Sequence, residues 1–456
     1  MKVRDVSRET NDDFQLSELE DRAAALVEAA KKAGADHADA VVAASRATGV
    51  EVRNGEIEET ESAENKAFSL RVFVGKRSAS ISSNDPSDVV ALAERAVSMA
   101  KVSPEDEYAG LAPQDLLATS KPDLDLFDDT EISFDEMREQ ALACEEAALA
   151  VEGVTQSSGS SFGRSLGGSV LATSNGFVGS YRASRCSLSA TAVAGEGTSM
   201  EREYDFDSQR HKSDLRDAVE IGHHAGERAV KNLNAKQVPT QTTTVVFEPR
   251  MARSLVSHIA GAINGASVAR KTSFLRDRMG EQVFSKNVSL VDEPHLERGV
   301  ASKPFDAEGV AFGDLSLINS GVLEHWFLDC AAAKELGLTS NGRANRSGSG
   351  TSPGSTNLTL QAGRRNPQDI ISELKEGFYV TQLIGQGVNL ITGDYSRGAS
   401  GFWIKNGELT FAVSEITIAG NLTDMFQKME PANDLDKRHG TNTPTIVVEG
   451  MTLAGR

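Results

Sequence analysis

The 456-residue sequence predicts an α+β fold, with two small helix–meander–helix domains followed by a β-rich, barrel-like or sandwich-like C-terminal domain. Two successive segments each begin and end in a helix-like stretch, and apolar and polar residues alternate between those helices, which is typical of half-buried strands. From residue 236 onwards, short strand-like runs are separated by glycine, asparagine, serine and proline. The length also favours several domains, because a single hydrophobic core rarely grows beyond about 250–300 residues.

The first predicted domain covers residues 17–120, behind a polar segment, residues 1–16, which we expect to be a mobile leader. Ser17 and Glu20 have the S-x-x-E spacing of a capping box, in which each side chain satisfies a backbone N–H of the first helical turn. Gly34 follows the helix-like stretch and suits the left-handed conformation that ends many helices. A helix is therefore predicted between these signals.

Two further turn and cap signals order the following segments. Asn54-Gly55 lies between two alternating runs and predicts a two-residue hairpin turn. Pro86 is expected to begin the helix that closes the first domain, since proline suits the first helical position. The second domain is predicted over residues 121–235, where Ser133 and Glu136 repeat the capping-box spacing before another meander and helix.

The third domain is predicted over residues 236–456. The run "TQTTTVVFEP" reads as a strand that ends at Pro249, and the helix containing "SLVSHIAGAIN" follows it. Beyond this helix, runs such as "GFYVTQLI", "GFWIKNGELTF" and "TPTIVVEGM" have the length and composition of strands. Their number and spacing favour a barrel or a sandwich.

Charge and cysteine content exclude several classes of protein. Lys and Arg total 47 against 66 Asp and Glu, a net charge of −19, and nucleic-acid binding depends largely on cationic contacts with phosphates. The three cysteines, Cys144, Cys186 and Cys330, are far apart, which disfavours a disulfide framework or a cysteine-rich metal site. No run approaches about 18 apolar residues. We therefore expect a cytoplasmic protein that binds neither nucleic acid nor membrane.

His258 lies on a small-residue, apolar helix whose outline is that of a metalloprotease helix. Zinc proteases need at least two histidines on such a helix, a third ligand, and a glutamate that activates the bound water. Ile259 and Ile263 occupy the positions where the acid and the second histidine would be expected. The sequence therefore predicts no metal site and no catalytic residue here, and His258 becomes a core or interface histidine.

For two other groups of ionisable residues, the sequence pattern favours a structural role over a catalytic or metal-binding one. In "GHHAGE", His223 or His224 could share a helix face with Glu227, but no third ligand is evident, which favours an exposed helix face. In "FDAEGV", Asp306 and Glu308 are two residues apart and would point to one side of a strand. Two carboxylates alone indicate a turn or an ion pair before they indicate an acid–base pair.

The glycine-rich stretch "LIGQGVNLITGDYSRGASGF" is open to two interpretations. It lacks the helix that a dinucleotide-binding G-x-G requires, and the serine has neither a G-x-S-x-G context nor a nearby histidine. It is either a buried network of turns or a loop that lines a groove or subunit interface, with Gly393 and Gly398 at positive φ. The candidate peptide-groove or interface residues of the chain are His258, Asp306, Glu308, Gly393, Asp394, Tyr395, Ser396, Arg397 and Gly398.

Several stretches together resemble the TldD/PmbA proteins, whose PmbA members are also called TldE and which were historically named modulators of DNA gyrase. The resemblance is carried by "ARKTSFLRDRMGEQVFS", "PFDAEGV", "LGLTSNGRAN", "VTQLIGQGVNLITGDYSRGASGFWIKNGE" and "EITIAGNLTDMF". The TldD-type members carry H-E-x-x-x-H at the position of "HIAGAI" and a C-terminal cysteine as zinc ligand. This chain keeps only His258 and has no cysteine after Cys330, so it is similar to the PmbA/TldE type.

This resemblance implies a TldD–TldE heterodimer that hydrolyses unstructured peptides, with zinc in the TldD-type partner and no cofactor in this chain. The chain alone is expected to be inactive and could form a homodimer. Two alternatives stay open: a self-sufficient hydrolase that uses Ser396 or other residues, and a non-proteolytic regulatory protein that binds a topoisomerase or an antitoxin.

Overall fold

The computed structural model describes residues 16–85, 88–347 and 350–456. The leader predicted for residues 1–16 lies outside these ranges except for Leu16, which is already helical. The α+β fold class and the β-rich C-terminal region are confirmed. Among the described helices, none is both long and apolar enough to cross a membrane.

The N-terminal half contains two helix–meander–helix units, as predicted. The first unit comprises α1 (Leu16–Lys32), β1 (His37–Arg53), β2 (Glu56–Val74), β3 (Arg77–Ser83) and α2 (Val89–Val102). The second comprises α3 (Phe134–Leu149), β4 (Val154–Thr173), β5 (Val178–Ala194), β6 (Glu201–Gln209) and α4 (Ala218–Lys231). Because β1 pairs with β4, both units share one six-stranded antiparallel sheet of order β3-β2-β1-β4-β5-β6. The domain boundaries at residues 120 and 235 stay a prediction.

The four helices cover one face of this sheet. Strand β1 shows the alternation: Ala40 and Val42 are buried with α1 and α2, and Val52 is buried with α3 and α4. Side chains of opposite parity must point to the other face. Val41 accordingly packs beside Phe305 of the C-terminal region. The sheet therefore has a helix-covered face and a face directed at the C-terminal region.

Several turns and helix ends predicted from the sequence are confirmed. Asn54 and Gly55 have φ values of 54° and 78°, as a type I′ hairpin turn requires. Ser133 Oγ accepts a hydrogen bond from the Glu136 N–H at 3.2 Å. Gly34, at φ 101°, follows α1.

Two helix starts differ from the prediction. Ser17 lies inside α1, because the helix already includes Leu16, so Ser17 is not its cap. Helix α2 begins at Val89, because the Asp88 carboxylate accepts from the Ala91 N–H at 2.8 Å and so supplies the N-cap. Pro86 lies outside the described residues.

The C-terminal region begins with β7 (Gln241–Phe247), α5 (Pro249–Ala262) and α6 (Gly265–Ala269). It continues with β8 (Leu290–Asp292), β9 (Leu315–Asn319), β10 (Val322–Leu323), α7 (Cys330–Glu335), β11 (Ala344–Ser347), β12 (Gly350–Pro353), β13 (Leu358–Leu360) and α8 (Pro367–Ser372). The remaining elements are β14 (Glu376–Ile384), β15 (Asp394–Lys405), β16 (Glu408–Asn421), α9 (Leu422–Gln427), β17 (Met429–Pro431), β18 (Thr441–Asn442) and β19 (Ile446–Ala454).

Five strands of this region close into a barrel. The order β16-β15-β14-β7-β19 returns to its start because β16 also pairs with β19. Strand β17 pairs with β19, and a second sheet has the order β10-β9-β8-β13-β18. Leu255 and Ile259 of α5 are buried in the same hydrophobic cluster as the barrel residues Phe378 and Tyr395. Helix α5 is therefore fixed against the barrel.

Candidate functional site

The side chain of His258 on α5 is half-buried and faces the barrel residue Tyr395. The two rings meet edge to face with their centroids 6.0 Å apart. Burial, and secondarily the positive charge of Arg397, lower the pKa of His258, which favours a neutral imidazole. Neither His258 Nε2 nor the Tyr395 hydroxyl makes a hydrogen bond within the described part of the chain. We call His258, Tyr395 and Arg397 the helix site.

The helix site does not fit a zinc ion. Ile259 and Ile263 are both fully buried in the hydrophobic core, so the positions of the expected acid and second histidine belong to apolar packing. The charged side chain that influences His258 is a cation, Arg397, which lowers the pKa of the imidazole. Over residues 16–85, 88–347 and 350–456, no group of three His, Cys, Asp or Glu side chains could hold a metal ion. A single imidazole beside an arginine is a poor ligand set for a dication.

The glycine-rich stretch runs from the end of β14 through the loop that follows it and into β15. Gly393 has φ 82°, as predicted, and a Cβ there would lie 3.0 Å from Asn421 Oδ1. The prediction for Gly398 is wrong: it lies in the extended strand β15, and no left-handed conformation is required. A Cβ at Gly387 would lie 2.0 Å from the Ser396 carbonyl oxygen, so close backbone approach explains that glycine.

Ser396 and Asp394 are exposed and organise the backbone of this stretch. The Ser396 N–H donates to the Gly387 carbonyl at 2.6 Å. The Asp394 carboxylate accepts a hydrogen bond from the Thr392 hydroxyl at 2.7 Å. Within the described residues no hydrogen bond joins Ser396 to a histidine, and the ring of His258 lies against the neighbouring Tyr395. Nothing in these contacts activates Ser396 as a nucleophile.

Asp306 and Glu308 lie in a turn rather than in a strand. Asp306 carboxylate oxygens accept three backbone N–H groups, those of Glu308 at 2.9 Å, Val310 at 2.8 Å and Ala344 at 3.1 Å. Gly309 completes the turn at φ 81°. Burial, and secondarily the Glu308 carboxylate, raise the pKa of Asp306 to about 7. Asp306 therefore acts first as the acceptor that fixes this loop.

Glu308 belongs to a buried charge cluster that joins the N-terminal sheet to the C-terminal region. Asp39 on β1 contacts Arg71 on β2 at 2.6 Å and Arg346 on β11 at 2.5 Å. Arg71 also lies 3.8 Å from Glu308. Burial opposes ionisation of Asp39, but the two arginines outweigh it and lower the pKa of this carboxyl. We call Asp39, Arg71, Glu308 and Arg346 the charge cluster.

Sequence reasoning found Glu308 but missed the other three members of the charge cluster. The only local signal was Asp39, an acidic residue within the otherwise apolar run "ADAVVAAS". An ionisable side chain in a buried strand is almost always paired. Its partners could not be read locally, because Arg346 is 307 positions away.

Two cavities flank the charge cluster. A cavity of about 440 Å³, here called the sheet cleft, lies between the open face of the N-terminal sheet and residues 303–307. A second cavity of about 540 Å³, here called the helix groove, lies between α5, α6, α7 and β12. Asp329, which caps α7 and whose pKa burial raises to about 6, lines the helix groove.

The structure thus separates the candidate residues into two places. The helix site and the start of β15 hold His258 and the residues from Gly393 to Gly398, whereas Asp306 and Glu308 lie at the charge cluster. Within the described ranges, no hydrogen bond or ion pair links the two sets. His223, His224 and Glu227 lie on an exposed face of α4, as expected.

Three family models match the chain in succession. They describe the PmbA/TldA metallopeptidase domain 1 at residues 38–100, the central domain at residues 127–233 and the C-terminal domain at residues 240–455. The protein named "Metalloprotease PmbA" of Escherichia coli O157:H7 is 38% identical over 423 residues, covering 91% of this chain and 92% of that protein.

Haemophilus influenzae provides two further relatives. Its "Metalloprotease PmbA homolog" is 36% identical over 447 residues and covers 97% of each chain. Its "Metalloprotease TldD homolog" is 25% identical over 257 residues, which is 52% of this chain and 53% of that protein.

Two solved structures have the same fold. A protein of Bacteroides thetaiotaomicron, titled a modulator of DNA gyrase, has a TM-score of 0.89 at 30% identity and covers 96% of this chain and 99% of its own. TldE of Thermococcus kodakarensis has a TM-score of 0.84 at 23% identity, covering 95% of this chain and 100% of its own.

Proposed function

The chain belongs to the PmbA/TldD family of metallopeptidase-like proteins, and we propose that it is the PmbA/TldE-type subunit of a TldD–TldE zinc protease. In this proposal the TldD-type partner holds the zinc ion and performs the hydrolysis. The chain described here contributes structure and substrate contacts, and the substrates are unstructured peptides.

The observation that carries the proposal is the composition of the helix site. A zinc protease needs a set of ligands together with a general base that activates the metal-bound water. Helix α5 offers His258 alone, and Ile259 and Ile263 are buried in the core where carboxylate and imidazole groups would have to reach a metal. Tyr395 fills the space beside the imidazole. The scaffold of a catalytic helix is present without its chemistry.

A partner from the same family is supported by two findings. Haemophilus influenzae has relatives of both names, PmbA and TldD, and both match this chain. Two chains of one fold can associate through equivalent surfaces about a pseudo-twofold axis, because such surfaces are inherited from a homodimer. We expect the C-terminal region to supply the main contact, with an obligate interface of about 2,000 Å² or more.

The test is purification of this chain alone, of a TldD-type partner alone, and of the two together. Size-exclusion chromatography measures association, elemental analysis measures zinc, and a quenched fluorescent peptide without stable structure measures hydrolysis. We expect a heterodimer with about one zinc ion, carried by the partner, and hydrolysis that requires both chains and is lost on chelation.

Each alternative gives a different result. Chelator-insensitive hydrolysis by the lone chain would establish a self-sufficient hydrolase, and Ser396→Ala would then test the serine. One zinc ion per lone chain that disappears in His258→Ala would show that the helix site binds metal. Failure of the two chains to associate would favour a regulatory binding protein.

A further inference from the structure

Strand β2 leaves a long edge of the N-terminal sheet uncovered. Strand β1 pairs with β2 from Glu56 to Phe73, but β3 pairs only with Phe68–Val74. Residues 56–67 of β2, here called the open edge, therefore have one neighbouring strand among the described strands, and every one of these residues is exposed. The outward N–H and C=O groups of such a strand are available to pair with another extended chain.

The open edge is held in place at both of its ends. At the hairpin turn, the Asn54 and Gly55 N–H groups donate to the two carboxylate oxygens of Glu145, each at 2.9 Å. Glu145 is itself buried on α3. At the other end, β2 continues from Phe68 into the hydrophobic core between β1 and β3. A strand that is already extended and fixed loses little conformational freedom when it binds, which favours association.

The open edge is acidic, and part of its charge is not compensated. Its sequence, "EIEETESAENKA", contains five glutamates and one lysine. Glu58 and Glu64 form ion pairs with arginines of β1, at 3.2 and 2.9 Å. Glu56, Glu59 and Glu61 form no ion pair with any described residue. The open edge therefore presents free carboxylates beside unpaired backbone groups.

The register of β1 and β2 places some of these carboxylates on one face. Glu59 lies directly opposite Glu51 of β1, and Glu61 shares the face of Glu59 because it is two residues further along the strand. Glu51 has no cationic partner in the described ranges either. Like charges directly opposite one another destabilise a sheet. A cation placed beside Glu59 and Glu61 would offset this repulsion.

These charges determine which extended chain fits the open edge. A second copy of this chain that paired edge to edge would bring glutamates against glutamates, so self-association is disfavoured. A strand that carries lysine or arginine at every second position would place its cations on one face, beside Glu59 and Glu61. Its backbone would at the same time pair with the outward groups of β2.

We propose that the open edge binds an unstructured peptide as an additional strand and prefers peptides with lysine or arginine at alternate positions. In this mode of recognition, backbone hydrogen bonds supply affinity for any extended sequence, and alternate side chains supply the preference. The inference rests on the proposed function, because it names the class of peptide that this subunit would present to the protease.

Binding of a labelled peptide to the full-length chain alone tests the inference. The probe is a fluorescein-labelled peptide in which threonine and lysine alternate over nine residues, and fluorescence anisotropy at physiological ionic strength gives its dissociation constant. An analogue whose backbone amides are all N-methylated has the same charge but cannot donate hydrogen bonds to a strand. We expect the unmodified peptide to bind at least about tenfold more tightly than this analogue. A peptide with glutamate in place of lysine should bind more weakly still.

A pair of double variants connects the charge preference to the open edge. Glu59→Gln combined with Glu61→Gln should raise the dissociation constant of the lysine peptide about threefold to tenfold, the scale of two exposed ion pairs. Glu408→Gln combined with Glu449→Gln is the matched control. It removes two exposed glutamates from strands of the barrel, changes the net charge equally, and should leave the dissociation constant unchanged.

Hydrogen–deuterium exchange of the backbone amides locates the bound peptide. An added strand should slow exchange within residues 56–67, because outward N–H groups become hydrogen-bonded. The edge strand of the barrel sheet, β17, should exchange at the same rate with and without peptide. Binding through charge alone would leave exchange within the open edge unchanged.

Several outcomes overturn the inference. Equal binding of the N-methylated analogue shows a contact through charge without an added strand, and equal effects of the two double variants show that the peptide binds elsewhere. Protection of residues 56–67 in the lone chain together with elution as a dimer shows that a second copy covers the open edge. Protection that appears on addition of a TldD-type chain without peptide shows that the partner covers it.

The proposed function and this inference fail in different ways. Partner-dependent hydrolysis that shows no preference for alternating basic peptides, with no peptide bound at residues 56–67, overturns the inference and leaves the proposed function intact. Strand-like binding of the lysine peptide by a chain that does not associate with a TldD-type partner supports the open edge as a peptide-binding surface and overturns only the assignment as a protease subunit.

Discussion

The helix site and the charge cluster both contain ionisable side chains that are at least half-buried. The side chains of the charge cluster form ion pairs, whereas those of the helix site do not. In the charge cluster, Asp39 is held between two arginines, and Glu308 lies near one of them. In the helix site, His258 Nε2 and the Tyr395 hydroxyl have no partner among the described residues, and the charge that acts on the neutral imidazole is that of Arg397.

This contrast separates buried charges that compensate one another from polar groups that lie unpaired beside a hydrophobic core. Buried charges that are mutually paired resist the removal of one partner, because the remaining charge is then left without compensation. An uncharged polar group without a partner can be replaced by an apolar group of similar shape at little cost. The charge cluster therefore maintains the contact between the N-terminal sheet and the C-terminal region, and the helix site lies unpaired at the margin of the hydrophobic core.

Removal of Asp39 should have the largest effect. Asp39→Ala leaves both Arg71 and Arg346 without their carboxylate, and loss of one partner of a buried ion pair typically costs about 3–5 kcal/mol. Urea unfolding monitored by tryptophan fluorescence measures this, since both tryptophans lie in the C-terminal region. Glu64→Ala, which removes an exposed pair with Arg46, is the control and should change the unfolding free energy by less than about 1 kcal/mol. A change as small in Asp39→Ala would contradict a structural role for the cluster.

The glycines at the start of β15 allow a matched comparison beside the helix site. Gly393→Val should reduce stability by about 1–3 kcal/mol, since a β-branched residue is strained at φ 82°. Gly398→Val should cost less, because its backbone is extended and the nearest atom to an added Cβ is 3.4 Å away. Thermal unfolding of both variants measures the difference. If both variants are equally destabilised, backbone strain at Gly393 is not the cause.

The stability of the fold should depend on pH through Asp306, whose carboxylate accepts a hydrogen bond from the backbone N–H of Glu308 in the charge cluster. Burial and the Glu308 carboxylate raise its folded pKa to about 7, whereas an unfolded aspartate titrates at about pH 4. The folded state therefore gains stability from the bound proton at low pH and loses it as pH rises from about 4 to 7. Asp306→Asn removes this titration, so its unfolding free energy should fall less steeply than that of the wild type across this window. Exposed Asp394→Asn should retain the wild-type slope.

The sequence predicted features that depend on neighbouring residues. The Asn54-Gly55 turn and the Ser133 cap follow from local backbone chemistry. The closed barrel agrees with the many short strand-like runs in the sequence after residue 236. The cap at Ser17 failed because the helix begins earlier in the chain.

Long-range contacts could not be predicted in the same way. The pairing of β1 with β4 depends on residues more than 100 positions apart, and only the folded chain brings Arg346 to Asp39. Likewise, Tyr395 was recognised as a candidate residue, but no sequence pattern indicates that its ring lies against His258.

Replacement of His258 should have the smallest effect and most directly tests the helix site. His258→Phe keeps an aromatic contact with Tyr395 and removes an unpaired nitrogen, so stability at pH 7 should change by no more than about 1 kcal/mol. Burial and Arg397 lower the folded pKa of His258, so below about pH 6.5 protons bind preferentially to the unfolded wild-type chain and destabilise the fold. The phenylalanine variant should therefore become more stable than the wild type as pH falls from about 6.5 to 5. His223→Phe, on the exposed face of α4, should show no such gain, and a loss above about 2 kcal/mol in His258→Phe would mean that the imidazole has a polar partner after all.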